Sequence, residues 1–155
     1  MKEMSFPAKG NCQCGNITYQ VVARPIATFA CHCQDCQKLS TSSFSVSMML
    51  DRSSFELLSG DLKSWERSTA AGGIAVCRFC PDCGNRIYHE NPDKPEFIRL
   101  KPGTLEDTSV LNPMAHVWTC REQPWLANFA DLPRVDKQPD LATALQALKE
   151  GRSPF

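Results

Sequence analysis

The chain has 155 residues, of which 42% are hydrophobic, and 17 basic residues balance 17 acidic ones. A chain of this length can bury a real hydrophobic core, so we expect a single domain over residues 1–155. The neutral charge and the lack of a basic block exclude non-specific nucleic-acid binding. No apolar run approaches the roughly 20 residues that span a membrane, and residues 1–9 lack the apolar stretch of a signal peptide. We therefore expect a soluble, cytoplasmic protein that binds no membrane.

Short strands separated by turns are predicted along most of the chain. Apolar residues at strand spacing predict strands over residues 17–22, 27–30, 44–50, 55–58, 62–67, 74–79, 86–90, 97–100 and 116–119. Gly60-Asp61 is a hairpin signal between two of these strands. The pattern indicates a mainly β fold built from antiparallel strands.

Two helices are predicted. The first is a short turn of helix over residues 34–40, and the clearer one lies near the end of the chain, over residues 140–150. Asp140 can cap this second helix and Gly151 can end it. Its apolar residues fall at i, i+3, i+4 and i+7, which predicts one apolar face, and they are Leu141, Ala144, Leu145 and Leu148.

Seven of the nine cysteines fall into three short clusters, which are Cys12-x-Cys14, Cys31-His-Cys33-x-x-Cys36 and Cys80-x-x-Cys83. In a reducing compartment, clustered cysteines are metal ligands or nucleophiles more often than disulfides. Zinc takes four protein ligands in structural sites and three in catalytic sites. Seven thiolates therefore divide into a closed site of four and an open site of three, which predicts two zinc ions.

The closed site combines the first and third clusters. Cys80-Pro81-Asp82-Cys83-Gly84 is typical of a zinc knuckle, because Pro81 suits a tight turn and Gly84 tolerates a conformation that a Cβ disfavours. A knuckle with two sulfurs cannot complete a tetrahedron, so it needs a partner. We predict that Cys12, Cys14, Cys80 and Cys83 together bind a structural zinc.

The open site is predicted at Cys31, Cys33 and Cys36, where a strand end supplies two sulfurs and the following turn returns the third. The alternative is a closed structural site that a further ligand completes, and the candidates are Cys77, Cys120, His32, His89 and His116. Successive strand residues face opposite ways, so His32 suits a hydrogen-bond donor behind the ligands better than a ligand. Cys77 and Cys120 are expected to be free thiols.

The clusters belong to a longer ordered pattern: Gly10-x-Cys12-x-Cys14-Gly15-x-Ile17-x-Tyr19, Cys31-His32-Cys33-x-x-Cys36-Gln37-Lys38, Phe79-Cys80-x-x-Cys83-Gly84, and His116-x-Trp118 with Pro124-Trp125. This pattern, over about residues 10–125, resembles the glutathione-dependent formaldehyde-activating enzyme family, which is also named with centromere protein V. The resemblance implies an Mss4-like fold. It also implies a structural zinc on the four cysteines above and a catalytic zinc on Cys31, Cys33 and Cys36.

The resemblance further implies a zinc-dependent carbon–sulfur lyase or thiol-adduct synthase. Its partners would be a small thiol such as glutathione and a small aldehyde such as formaldehyde, and its product would be S-hydroxymethylglutathione. Two other classes stay open. One is a non-catalytic zinc module that binds a protein partner, and the other is a thiol-based redox or metal sensor.

Residues outside the clusters carry weaker predictions. The three tryptophans are expected to pack in the core or at its rim, and they are Trp65, Trp118 and Trp125. Four cations could bind substrate carboxylates, although isolated charges usually lie in solvent, and they are Arg24, Arg78, Arg86 and Lys101. His116 either lines the open site or is a core histidine.

Overall fold

The computed structural model describes residues 2–138 and 140–153. The chain divides into two compact units, Met1–Glu122 and Gln123–Phe155, and each is described by itself. The single domain over residues 1–155 stays a prediction. No helix among the described residues is long and apolar enough to cross a membrane.

The first unit is mainly β, which confirms the predicted fold class. Its strands are β1 (Ala8–Asn11), β2 (Thr18–Val21), β3 (Ala27–Cys31), β4 (Ser45–Asp51), β5 (Phe55–Ser59), β6 (Lys63–Ser68), β7 (Ile74–Phe79), β8 (Arg86–Glu90), β9 (Phe97–Leu100) and β10 (Ala115–Val117). They form a three-stranded sheet in the order β1-β2-β5 and a seven-stranded sheet in the order β10-β3-β4-β9-β8-β7-β6. The paired strands are antiparallel except for β10 and β3, which run parallel.

The hairpin predicted at Gly60-Asp61 is wrong. Strand β5 lies in the three-stranded sheet and β6 at the edge of the seven-stranded sheet, so the segment between them changes sheets. Gly60 has φ 81°, and a Cβ there would lie 2.5 Å from the carbonyl oxygen of Asn16. Glycine at position 60 therefore lets the backbone pass close to the turn that carries Cys12 and Cys14. In the sequence, a glycine needed for this close approach resembles a glycine needed for a hairpin turn.

The core lies where buried faces of the two sheets meet. Tyr19 and Phe55 of the smaller sheet stack at 5.2 Å between ring centroids, and Phe55 meets Tyr88 of the larger sheet edge to face at 5.0 Å. Aliphatic side chains complete the cluster, and they include Ile17, Val21, Met48, Leu50, Ile87, Ile98 and Leu100. Burial of this apolar surface is the main term that holds the first unit together.

Gly10 and Tyr19 are cross-strand neighbours in the β1–β2 pair. The Tyr19 ring lies over Gly10, so that a Cβ on Gly10 would be 2.3 Å from Cζ of the ring. The Tyr19 hydroxyl is 2.7 Å from Oγ1 of Thr104. Position 10 therefore needs glycine, because the Tyr19 ring occupies the space that a side chain would fill.

Both predicted helices are present. Helix α1 (Gln34–Ser40) is in the first unit, and α2 (Leu141–Lys149) is in the second, where Oδ2 of Asp140 accepts a 3.0 Å hydrogen bond from the Thr143 N–H. Ala144 is buried, but Leu145 and Leu148 are about half exposed. The Leu141 side chain lies outside the described part of the chain.

Candidate functional site

The structure brings four sulfurs together from the first and third cysteine clusters. The Sγ atoms of Cys12, Cys14, Cys80 and Cys83 all lie within 4.8 Å of one another. Two of the separations are 3.4 Å, between Cys12 and Cys14, and 3.7 Å, between Cys14 and Cys80. Tetrahedral zinc with Zn–S bonds of about 2.3 Å places its sulfurs roughly 3.8 Å apart. The donor type, number and spacing in this four-cysteine cluster therefore fit a zinc ion.

Two turns, each closed by a glycine, present these sulfurs. Gly15 N–H donates to the Cys12 carbonyl and Gly84 N–H to the Cys80 carbonyl, each at 3.0 Å, and both glycines have positive φ. The backbone N–H of Gln13 in the first turn donates to Oδ1 of Asn85, just beyond the second, at 3.0 Å. Because the first turn joins β1 to β2 and the second joins β7 to β8, this cluster ties the two sheets together.

Cys83 and Cys14 of the four-cysteine cluster differ in pKa. Backbone hydrogen bonds from Asn85 and Cys14 lower the pKa of Cys83 to about 6. The Asn16 N–H lowers the pKa of Cys14, but the hydrogen bonds with Cys12, Cys83 and Cys80 and partial desolvation together outweigh it and raise the pKa to about 12. The metal-free cluster thus holds thiols as well as thiolate, and metal binding would release protons.

The second cluster gathers the Sγ atoms of Cys31, Cys33 and Cys36 within 4.8 Å of one another. Cys31 ends β3, and Cys33 caps helix α1 by accepting a 3.4 Å hydrogen bond from the backbone N–H of Cys36. Among the described residues, no fourth metal-binding atom joins the three within this distance. Three thiolates in tetrahedral geometry leave one position for another ligand. The two clusters together are consistent with two zinc sites.

Cys31 and Cys36 of this three-cysteine cluster also differ in pKa. The hydrogen bond from Cys36 lowers the pKa of Cys31 to about 5, against the opposing effect of burial. The same hydrogen bond, together with burial, raises the pKa of Cys36. Cys31 is therefore the thiolate of the pair at neutral pH. Zinc binds cysteine as the thiolate, so one sulfur of this pair is already in the form that binds the metal.

Neighbouring side chains hold α1 and its cysteines in place. Nε2 of Gln37 donates to the carbonyl oxygens of His32, at 2.6 Å, and Arg121, at 2.8 Å. Nη1 of Arg67 donates to Oδ2 of Asp35 at 2.7 Å, which links β6 to the turn between Cys33 and Cys36. The position of the second cluster therefore depends on contacts with three separate parts of the first unit.

None of the residues predicted as alternative ligands joins the three sulfurs within 4.8 Å. His32 is fully buried, and its Nε2 is 2.8 Å from Nδ1 of His116, with Glu122 3.9 Å away. This group is formed by imidazole and carboxylate, apart from the three sulfurs. Cys77 is buried in β7 and Cys120 is exposed, and neither belongs to a cysteine cluster. His116 therefore contacts His32, and its role at the sulfurs stays a prediction.

A cavity of roughly 470 Å³ adjoins the three-cysteine cluster and is bounded in part by Cys31 and Cys36. Four cations line it, and they are Arg67, Lys94, Arg99 and Lys101. Nζ of Lys101 donates to the hydroxyl of Ser47 at 2.8 Å. Burial lowers the pKa of Lys101, while the attraction of Cys36 and Cys31 opposes this shift. This cationic cavity favours a ligand that carries carboxylates.

Sequence reasoning identified one of these cations, Lys101, as a candidate for carboxylate binding. It missed Arg67 of β6 and Arg99 of β9, and it named His89 of β8 only as a possible further metal ligand; all three line the same cavity. The alternation of β9 already places Arg99 and Lys101 on one face, so a partial signal was present. Trp118, expected to pack in the core or at its rim, also lines the cavity and is 41% exposed.

Comparison with known proteins agrees with this architecture. The chain is similar over residues 7–121 to the profile of the glutathione-dependent formaldehyde-activating enzymes. A crystal structure of a Rhodobacter sphaeroides protein matches with a TM-score of 0.54 and 20% identity, over 70% of this chain and 99% of that one. This likeness concerns the fold alone. No curated protein matches the chain significantly. Because the profile matches well over half of the sequence, the chain belongs to the glutathione-dependent formaldehyde-activating enzyme family.

Proposed function

We propose that this protein is a zinc-dependent carbon–sulfur lyase or thiol-adduct synthase, which joins a small thiol to a small aldehyde. In the glutathione form of the proposal, formaldehyde and glutathione give S-hydroxymethylglutathione. The observation that carries the proposal is the opening of the three-cysteine cluster into a cationic cavity. Family membership adds support for thiol and aldehyde chemistry. A reducing compartment such as the cytoplasm would keep the cysteines as thiols.

Each cluster receives a different role in the proposal. The four-cysteine cluster would hold a structural zinc, since its four sulfurs fill a tetrahedron. Cys31, Cys33 and Cys36 would hold the catalytic zinc and leave one coordination position for a substrate. A metal ion bound there lowers the pKa of a thiol, so it supplies an ionised substrate sulfur at neutral pH.

The cavity residues would bind and orient the thiol substrate. Arg99 and Lys101 offer positive charge to carboxylates, and a guanidinium group can bind a carboxylate through two hydrogen bonds. Lys101 is fixed by its contact with Ser47, so its ammonium group is already oriented before substrate arrives. Holding two reactants in this way lowers the entropic part of the barrier.

The bond changes are balanced without a redox step. The thiol loses its proton to solvent water, which balances the proton that the product oxygen takes back from water, and a lone pair on the sulfur forms a bond to the aldehyde carbon. The electron pair of the C=O double bond moves to oxygen, which takes a proton from water. Cleavage of the adduct runs through the same steps in reverse.

The proposal is tested by following S-hydroxymethylglutathione formation by proton NMR, with zinc-loaded protein, glutathione and formaldehyde. The protein should raise the rate above that of the uncatalysed reaction, and Cys31→Ser should abolish the increase. Cys120→Ser is a matched control, because this exposed thiol is outside both clusters, and it should keep full activity. Lack of acceleration with any small thiol would favour the protein-binding module.

A further inference from the structure

Two imidazoles and a carboxylate meet outside the two cysteine clusters. Nε2 of His32 lies 2.8 Å from Nδ1 of His116 and 3.9 Å from Oε1 of Glu122. The three atoms, here called the histidine–glutamate group, all lie within 4.8 Å of one another. The proposed reaction requires sulfurs and cavity cations, so it leaves this group without a role.

The fold assembles the histidine–glutamate group from two segments of the first unit. His116 is on β10, which pairs in parallel with β3, and His32 directly follows the last residue of β3. Nε2 of Gln37 donates to the carbonyl oxygens of His32, at 2.6 Å, and Arg121, at 2.8 Å. Gln37 therefore holds the backbone of His32 close to the residue that precedes Glu122.

The chain turns sharply between His116 and Glu122. Trp118 has φ 61° and ψ 37°, which is the left-handed region that bulky residues rarely adopt. A 3₁₀ turn over Thr119–Arg121 follows it. Backbone strain of this kind occurs preferentially at functional sites. Here it accompanies the return of the chain that brings the carboxylate back to the two imidazoles.

A hydrogen bond between the two rings explains only part of this geometry. In a neutral pair, one imidazole N–H donates to the bare nitrogen of the other ring. Oε1 of Glu122, at 3.9 Å, is too far from Nε2 of His32 for a hydrogen bond between them. A divalent metal ion in place of the shared proton would bind both nitrogens and the carboxylate. It would therefore account for the convergence of all three side chains.

The distance between the two nitrogens indicates which metals fit. Metal–nitrogen bonds of about 2.0–2.1 Å place two nitrogens about 2.8–3.0 Å apart at a right angle and about 3.3–3.4 Å apart at a tetrahedral angle. The observed 2.8 Å fits the right angles of octahedral and square-planar ions, such as Ni²⁺, better than tetrahedral zinc. The Glu122 side chain is 40% exposed, so it can turn toward the metal.

A metal ion can reach the histidine–glutamate group from solvent. His32 is fully buried, but His116 and Glu122 are exposed. Three protein ligands leave further positions of an octahedral ion for water or a small ligand. Three thiolates outweigh the charge of one Zn²⁺, so the loaded three-cysteine cluster would not repel a second cation nearby.

We propose that His32, His116 and Glu122 form a third metal site, which takes a divalent transition-metal ion of octahedral or square-planar preference. Its ligands are two imidazoles and one carboxylate, a donor set that suits such ions. The proposal goes beyond the thiol chemistry and does not depend on it, because that chemistry uses the three-cysteine cluster.

Nickel titration of the zinc-loaded protein tests the site. Calorimetry should show one further equivalent of Ni²⁺ bound, while elemental analysis finds the zinc content unchanged. Glu122→Gln should weaken nickel binding by at least about ten-fold, since loss of a group behind a metal ligand already costs that much. Glu106→Gln is the matched control, because Glu106 is exposed and lies outside these groups of metal-binding atoms, and it should bind nickel like the wild type.

Two outcomes of this titration would overturn the proposal. Equal nickel affinity of Glu122→Gln and the wild type would show that the carboxylate is not a ligand. Nickel uptake matched by zinc release would show that the ion binds at the cysteines instead.

Imidazole spectra identify the ligands directly. The chain has three histidines, so long-range ¹H–¹⁵N spectra contain three imidazoles, which His116→Gln and His89→Gln assign. Nickel should shift or broaden the signals of His32 and His116. The His89 signal should stay unchanged, because β8 lies four strands from β10 in the sheet. If millimolar Ni²⁺ leaves His32 and His116 unchanged, the two rings are only a hydrogen-bonded pair and the proposal fails.

Discussion

Arg67 and Asp35 form a 2.7 Å ion pair between β6 and helix α1, and this pair lies directly beside the three-cysteine cluster. Asp35 lies between Cys33 and Cys36 in the sequence, so the contact limits how far the turn that presents these sulfurs can move. The Arg67 side chain is 16% exposed, which reduces screening by solvent. The pair thus connects the edge of the large sheet to the candidate metal site.

Removing this pair should loosen the three-cysteine cluster more than it destabilises the fold. Asp35→Asn should lower the free energy of unfolding by no more than about 1 kcal/mol, because Asp35 is partly exposed. It should raise the rate of zinc release from the three-cysteine cluster several-fold, measured with a chromogenic chelator. Glu150→Gln is the control, because it removes the carboxylate of the exposed Glu150–Arg152 pair. It should change neither the free energy of unfolding nor the rate of zinc release. Identical release rates in wild type and Asp35→Asn would contradict this assignment.

Two zinc ions of unequal lability are expected. Cys80→Ser or Cys83→Ser should abolish soluble folding, since binding at a structural site contributes on the order of 10 kcal/mol to folding. Cys33→Ser should keep the fold and lose one zinc, as measured by elemental analysis.

The spare cysteines provide the control for this experiment. Joint replacement of Cys77 and Cys120 by serine should retain both zinc ions and lower stability by about 1–3 kcal/mol, chiefly because Cys77 is buried. Loss of one zinc from Cys120→Ser alone would show that the second site is closed by a fourth sulfur. The catalytic proposal would then fail.

Gly10→Ala should destabilise the first unit. The new Cβ would overlap the Tyr19 ring and lie 2.7 Å from the backbone oxygen of Thr104, so ring and strand cannot both stay in place. Overpacking of this kind costs about 1–3 kcal/mol, measurable by urea unfolding. Gly103→Ala is the matched control, because open space surrounds its Cβ position, and it should be close to neutral. Equal effects of the two substitutions would exclude steric overlap as the cause.

His89 predicts a pH dependence of stability. Its pKa falls from the ordinary 6.5 to about 2 in the fold, so below pH 6.5 the unfolded chain binds a proton that the folded chain does not. The stability that depends on a neutral His89 ring is fully present above pH 6.5, and it is lost progressively as the pH falls toward 2. Between pH 6.5 and 5.5 the wild type should lose about 1 kcal/mol more than His89→Gln in denaturant titrations. Parallel losses in both proteins would contradict a depressed pKa.

Local patterns predicted the elements of this fold well. The bounds of β7, β8, β9 and α1 match the predicted ranges, because alternation and helical turn signals are encoded within each segment. The grouping of cysteines into four and three was also predicted, since coordination number constrains it. These features depend on residues close in sequence or on a simple count.

Long-range features were predicted less well. The segment at Gly60-Asp61 has the local chemistry of a hairpin, but the pairing partners of β5 and β6 are distant in sequence. The cationic cavity combines Arg67, His89 and Arg99 from three strands, whose adjacency follows only from the order of strands in the sheet. The parallel pairing of β10 with β3 likewise has no local signal.

The four-cysteine cluster also constrains when the protein can fold during its synthesis. Cys14 and Cys80 are 66 positions apart, so the first turn leaves the ribosome long before its partner is made. Closing a loop of this length has an entropic cost, and zinc binding by the complete set of four sulfurs would offset it. The nascent chain would therefore carry Cys12 and Cys14 uncovered until Cys83 has emerged. During that interval these two thiols would be open to oxidation and to capture of a wrong metal.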